Sequence, residues 1–306
     1  MKRLLLCIVV ALSATTLVSK TKYSMTVRDG GTGPYKAVIV EDSGLKGYSI
    51  FRPEDLAAAC EAEGKLPVIL FGNGGCSRNS YGLLDFLVEV ASHGYVIVTN
   101  GQWRATDPAL DHSEFTPKQK ARYEKKMQRR AQKGQKRNVD DALDYFRALD
   151  YLQRQARRTG SEYYGRLDCV NVAVSGQSCG GLQALIMGTR RDPRVKSVVA
   201  VNSGVLDRGD LLDEMITRDA LSALSTPVAY FIGGEEDIAY KNAVNDFNAI
   251  THVPVMLANC NSGHPGPYIE PDLYASIYLC WMDWQLKGKE VNWEKNTGWS
   301  IQTKNF

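Results

Sequence analysis

One serine stands where it could act as a nucleophile. Gly176-Gln177-Ser178-Cys179-Gly180 lies between a β-branched run, Val170-Asn171-Val172-Ala173-Val174, and a helical run from Leu182 to Met187. A strand that turns at once into a helix has no space for side chains beside the turn, and both flanking places are glycine. The turn pushes the serine Oγ out of the backbone, where a base can reach it. The helix that starts there offers unpaired N–H groups and a positive dipole end to a developing oxyanion. This is the setting that a nucleophile elbow requires.

A serine nucleophile needs a base to take its proton and an acid to orient that base. The chain has 4 histidines. His93 and His252 each precede an apolar strand, at the edge of a parallel sheet opposite to the one where ligands bind. His112 falls in an irregular polar stretch. His264 follows the strand Pro254–Ala258 in Asn261-Ser262-Gly263-His264-Pro265-Gly266, at the favoured edge, and is the expected base. For the acid, Pro227–Ile232 runs into Gly233-Gly234-Glu235-Glu236-Asp237. Asp237 enters the next helix and is preferred over Glu235 and Glu236 because the turn itself would hold it; a plain helix N-cap is the competing reading. The order Ser178, Asp237, His264 is one that serine hydrolases use.

Oxyanion donors are expected from the backbone N–H of Cys179, next to the serine, and of Cys76. The latter follows an early strand in Gly72-Asn73-Gly74-Gly75-Cys76, where glycines permit close backbone approach. If both N–H groups serve one oxyanion, the two cysteines must be neighbours, so a Cys76–Cys179 disulfide is expected. Trp103, in a loop after the strand Tyr95–Thr99, is a candidate for lining the acyl or alcohol pocket, with core packing as an equal reading. The histidines are too scattered, and Cys-x-x-Cys spacing too plainly missing, for a zinc site. Neither a metal nor an organic cofactor is expected.

The elements that must carry these groups alternate. Strands are predicted at Lys36–Val40, Tyr48–Phe51, Pro67–Phe71, Tyr95–Thr99, Val170–Ser175, Val198–Val201, Pro227–Ile232 and Pro254–Ala258. Helices are predicted at Tyr81–Ser92, Val139–Arg158, Gly181–Thr189, Ile238–Ile250 and Pro271–Leu286. The alternation implies a mostly parallel, eight-stranded α/β sheet with helices on both faces. The first two strands, with no helix between them, read as an antiparallel entry. Residues 102–137 interrupt the pattern after the Tyr95–Thr99 strand. They end in KQKARYEKKMQRRAQKGQKR, from Lys118 to Arg137, which reads as a solvated basic helix or as a cap for an anionic substrate or surface.

Across its 306 residues the chain has a formal charge of +3, so nothing global points to nucleic acid. Met1-Lys2-Arg3, the apolar run Leu4–Val10 and the small residues Ala11, Ser13 and Ala14 read as a secretory signal over residues 1–19. That predicts a secreted or periplasmic protein with no stable membrane insertion, and one domain over residues 24–306. Six cysteines follow the leader: Cys60, Cys76, Cys169, Cys179, Cys260 and Cys280. An even count in an exported chain permits disulfides.

With these motifs the chain resembles the α/β-hydrolases of the dienelactone hydrolase and polyester hydrolase (cutinase-like) branch, from about Gly33 to Gly288 without the basic insertion. Gly176-Gln177-Ser178-Cys179-Gly180-Gly181 is similar to that branch's elbow. Gly234-Glu235-Glu236-Asp237 and Gly263-His264 are similar to its acid and base loops. Counting back from Ala91-Ser92-His93-Gly94-Tyr95, its Pro-Gly-aromatic oxyanion triplet falls on Gly74-Gly75-Cys76. The aromatic platform over the acyl site is therefore missing, which argues against polyester substrates. The GTGPYKAVIVED segment (31–42) and Trp281-Met282-Asp283-Trp284-Gln285-Leu286-Lys287-Gly288 resemble an exported, less characterised subgroup. Gly75-Cys76-Ser77-Arg78 also looks like the serine box of glucuronoyl esterases, but Ser80 stands where that box has glycine, and the later elbow fits better. The resemblance implies hydrolysis of a small-molecule or polymer-linked carboxylic ester through an acyl-enzyme. The same triad would serve an acyltransferase or peptidase, and a silent hydrolase fold binding anionic glycan through the basic segment is the reading from another class.

Overall fold

A computed structural model describes residues 22–24, 30–105, 139–207 and 215–306. The expected leader (1–19), His112, the basic run Lys118–Arg137 and most of the 102–137 segment lie outside the described residues. The strands are β1 (Lys22–Ser24), β2 (Ala37–Glu41), β3 (Tyr48–Pro53), β4 (Leu66–Gly72), β5 (Val96–Asn100), β6 (Leu167–Gln177), β7 (Val195–Val201), β8 (Val228–Ile232), β9 (Val255–Asn259) and β10 (Ser300–Lys304). They form one sheet in the order β1-β2-β3-β5-β4-β6-β7-β8-β9-β10. The six strands from β5 to β9 in that order are mutually parallel. β1, β2, β3 and β10 are antiparallel to their neighbours, so the antiparallel entry is present.

The sequence predicts eight strands; the sheet has ten. The two additions are edge strands. β1 is three residues long, and β10, Ser-Ile-Gln-Thr-Lys, is largely exposed, so neither carries the apolar run that marks an inner strand.

The central strands are apolar throughout because both faces are covered, and alternate side chains go to opposite layers. Val68 and Leu70 face one layer with Val172 and Val174; Ile69 and Phe71 face the other with Ala173 and Val199. The first layer is covered by α1 (Leu56–Glu63), the helix at 139–157 (α3), α4 (Cys179–Thr189) and α5 (Tyr240–Ala249). They contribute Leu56, Tyr145, Leu149, Leu182, Leu185 and Phe247. The second layer is covered by α2 (Leu84–Ser92) and α6 (Pro271–Lys287), through Phe86, Leu87, Tyr278 and Trp281.

β4 leads outward to β5, whereas β6, its other neighbour, leads through α4 the opposite way to β7. The connections thus diverge between β4 and β6, and the crevice at their carboxyl ends is where open α/β sheets bind ligands. The strand ends meet there through glycine: Gly72 pairs with Gly176. A Cβ on Gly180 would lie 2.0 Å from the Gly72 carbonyl oxygen, and one on Gly176 would lie 2.3 Å from the Gly180 oxygen. Both obstacles are backbone. Gly180→Ala is therefore expected to lower the unfolding free energy by about 2 kcal/mol, within the usual cost of overpacking. Urea titration checks this, and a variant as stable as the parent would show that the ends of β4 and α4 can separate freely.

Candidate active site

β6 ends at Gln177 and α4 begins at Cys179, so Ser178 alone is the hinge between strand and helix, with φ 53° and ψ −119°. Left-handed φ is rare for a side-chain-bearing residue and persists only where surrounding bonds enforce it. Here they do. The Ser178 N–H donates to Val201 O at 2.8 Å, and its carbonyl accepts from Gly181 N at 2.8 Å and Ser203 Oγ at 2.7 Å. The half-buried side chain places Oγ 2.9 Å from His264 Nε2.

His264 follows β9 and Asp237 follows β8, so β6, β8 and β9 of one parallel run deliver the groups to one sheet edge, with β7 between the first two. His264 Nδ1 lies 2.7 Å from Asp237 Oδ1. A carboxylate only accepts, so Nδ1 carries the proton, and the Nε2 lone pair faces the Ser178 hydroxyl. The Asp237 side chain is fully buried. Its Oδ1 also accepts from Ala239 N at 2.9 Å, and its Oδ2 from Asn202 Nδ2 at 2.7 Å and Gly233 N at 3.1 Å. Burial alone would raise its pKa; the donors from His264, Ala239, Asn202 and Gly233 outweigh that and hold the carboxyl below the ordinary range. Asp237 therefore both braces the turn into α5 and faces His264. Glu235 and Glu236 are exposed. The predicted helix start at Ile238 moves to Tyr240, because Asp237 forms the turn ahead of it.

Cys76 and Cys179 form a disulfide with their Cα atoms 5.1 Å apart. As the first residue of α4, Cys179 has an N–H without an intrahelical acceptor. Gly75 at φ 63° and Cys76 at φ 46° make two successive left-handed residues, the bend that brings this loop onto α4. Beneath it, Asn73 Nδ2 donates to Asn100 O at 3.1 Å and Ser77 O at 3.2 Å, and Tyr145 OH of α3 donates to Phe71 O at 2.7 Å. The two backbone N–H groups chosen as oxyanion donors are thus carried on a cross-linked pair.

The other candidates are placed elsewhere. His93 Nε2 pairs with Glu89 and His252 Nε2 with Leu224 O. Ser77 Oγ donates to Asn79 O at 3.1 Å. Trp103 packs on the second layer, with the Arg104 guanidinium 4.7 Å from its ring centroid. Two cavities of about 440 and 470 Å³ flank the 45–48 segment; neither is lined by Ser178 or His264. Among the described residues no cluster of His, Cys, Asp and Glu could hold a metal ion, and no helix is long and apolar enough to cross a membrane.

Sequence reasoning missed three residues. Asn202 reaches the acid from the end of β7. Gln177 Nε2 donates to His264 O at 3.0 Å, tying the base loop to the serine turn. Tyr268, four residues past the base, lays its hydroxyl against Gly74 and its ring against Gly82, spanning from base loop to Cys76 loop. Tyr268 is 37 % exposed, beside Ile269 at 59 % and in the vicinity of the exposed Tyr81. Asn202 and Tyr268 had one signal each: Asn202 follows an apolar strand at the same edge, and Tyr268 shares the base loop.

Because the disulfide closes a sequence separation of 103, the chain-entropy effect of losing it is about 5 kcal/mol. The Cys76→Ser, Cys179→Ser double variant is expected to lose stability on that scale in guanidinium titration, and to match the reduced parent. Equal midpoints for oxidised parent and double variant would refute the estimate.

No protein-family model matches the chain, and no curated protein matches it either.

Proposed function

We propose that the chain is an exported serine hydrolase that cleaves carboxylic esters, built as a single α/β-hydrolase domain over residues 24–306 with 102–137 as an insertion. The single observation that carries this reading is the hydrogen-bond chain Ser178 Oγ–His264 Nε2, His264 Nδ1–Asp237 Oδ1, set at the divergence of β4 and β6. The disulfide is in keeping with an oxidising compartment, and so with export.

In this reading Ser178 Oγ attacks the ester carbonyl carbon as its proton passes to His264 Nε2. The carbonyl oxygen becomes an oxyanion that accepts from the N–H groups of Cys76 and Cys179. Collapse of the tetrahedral species expels the alkoxide, which takes the proton from His264, and the acyl group stays on Oγ. Water then repeats the sequence: His264 removes its proton, the acyl–Oγ bond breaks, and the proton returns to Ser178. Asp237 keeps Nδ1 protonated and stabilises the imidazolium. Each oxyanion donor contributes about 3 kcal/mol in the transition state.

The dienelactone hydrolase and polyester hydrolase branch is the family we assign on the motifs, with Cys76 in place of its aromatic residue. Tyr268 offers an aromatic surface from the opposite loop, and Ile238, 77 % exposed, adjoins the acid. These apolar groups favour an ester with an apolar acyl or alcohol part.

A fluorophosphonate probe tests the reading. The parent is expected to label, Ser178→Ala to lose both label and ester hydrolysis by at least about a thousandfold, and Ser77→Ala to keep both. Labelling of Ser178→Ala would move the nucleophile elsewhere; an unlabelled, folded parent would overturn the hydrolase reading. Tyr268→Ala is expected to raise KM for aryl and long-chain esters about tenfold while that for acetyl esters changes little, and a uniform change across substrates would remove it from the pocket.

A further inference from the structure

We propose that Asn202 is a positioning residue that locks the acid loop to the base loop, one amide nitrogen serving both. This rests on the hydrolase reading above. Asn202 stands directly after β7, between the strands that deliver Ser178 and Asp237. Its Nδ2 lies 2.7 Å from Asp237 Oδ2, 3.1 Å from Gly263 O and 2.9 Å from Tyr274 OH. The orientation of the amide is dictated by its surroundings. Flipping it would set Oδ1 against a carboxylate and a carbonyl, both acceptors. The two hydrogens are thus spent on Asp237 and Gly263, one residue before the base. Tyr274 OH is a third neighbour with its own partner, Ser262 Oγ at 2.9 Å.

Two local costs are tolerated to keep this residue there. Asn202 has φ 45°, and its backbone N–H is fixed to Phe231 O at 2.7 Å. It is fully buried, and Oδ1 has no hydrogen-bond partner among the described residues. The chain even makes room for that oxygen: a Cβ on Gly266, which sits at φ 51°, would lie 2.0 Å from Asn202 Oδ1. Backbone strain and an unpaired buried acceptor at one position are what a site-specific role explains and a packing role does not.

The titratable groups that face the Asp237–His264 pair are Tyr274 from α6 and Cys260 at the end of β9, both tied into the same polar cluster. Glu235 and Glu236 are exposed. The bond from Asn202 is strongest when the carboxylate charge is uncompensated, that is, when His264 is neutral. Its removal destabilises the neutral-imidazole form more than the imidazolium form, so the pair holds its proton to higher pH.

Asn202→Gly removes the amide while relieving the left-handed backbone. It is expected to lower kcat about tenfold with KM changed less than twofold, and to move the acid limb of the kcat/KM profile to higher pH. In proton NMR the low-field His264 Nδ1 resonance is expected to keep its further-downfield, imidazolium position to higher pH than in the parent. Unchanged kcat, or a fall in kcat with the pH limb and resonance unmoved, would overturn the proposal. If the glycine variant does not fold, Gly266→Ala presses on Oδ1 and is expected to give the same two shifts; their absence overturns it as well. Should the parent fail to label with fluorophosphonate, the hydrolase reading fails, while the NMR comparison still decides whether Asn202 governs the pair.

Discussion

The contact on which the rest depends is backbone against backbone: the first turn of α4 resting on the end of β4, glycine to glycine. Because Gly180 lies so close to the Gly72 carbonyl, α4 must start immediately after β6, with one residue to make the turn. That residue is forced to left-handed φ, and its side chain is the serine hydroxyl. The same contact sets α4's free N–H end beside the loop that leaves β4. A side chain at any of Gly72, Gly176 or Gly180 would meet backbone, and the helix start, the exposed hydroxyl and the donor pair would all shift together.

Around this contact the buried polar groups divide into two sets. Asn73, Asn100 and Tyr145 tie the end of β4 to β5 and α3, beneath the Cys76 loop. Asn202, Tyr274 and Ser262 tie β7, α6 and the base loop around Asp237. A buried carboxylate is tolerated only when most of its acceptor positions are filled, and Asp237 has four donors. His264 rests on fewer bonds, with its side chain 26 % exposed, so the carboxylate is fixed in the interior and the imidazole lies nearer the surface.

Much of this was legible in the sequence because the signals were positional. In a parallel sheet only residues after a strand reach the ligand edge, which separated His264 from His93 and His252 and pointed to Asp237. The disulfide followed from requiring two backbone donors to face one point. Asn202 was legible only by its place after an apolar strand: an asparagine there has no chemistry of its own, and its meaning comes from two loops that meet it from strands further along the chain. β1 and β10 escaped because edge strands bury one face at most. Tyr268 escaped because nothing local says that its loop folds back over Gly74 and Gly82.

The cross-link has a consequence in time. Cys76 and Cys179 are separated by β5 and α3, so they meet only after β4 and β6 have found each other. Until then, and for as long as the chain stays among reducing thiols, the Cys76 loop is held by hydrogen bonds alone. A copy among reducing thiols would therefore be folded but unlocked at this loop, and oxidation of the pair would follow, not precede, the pairing of β4 with β6.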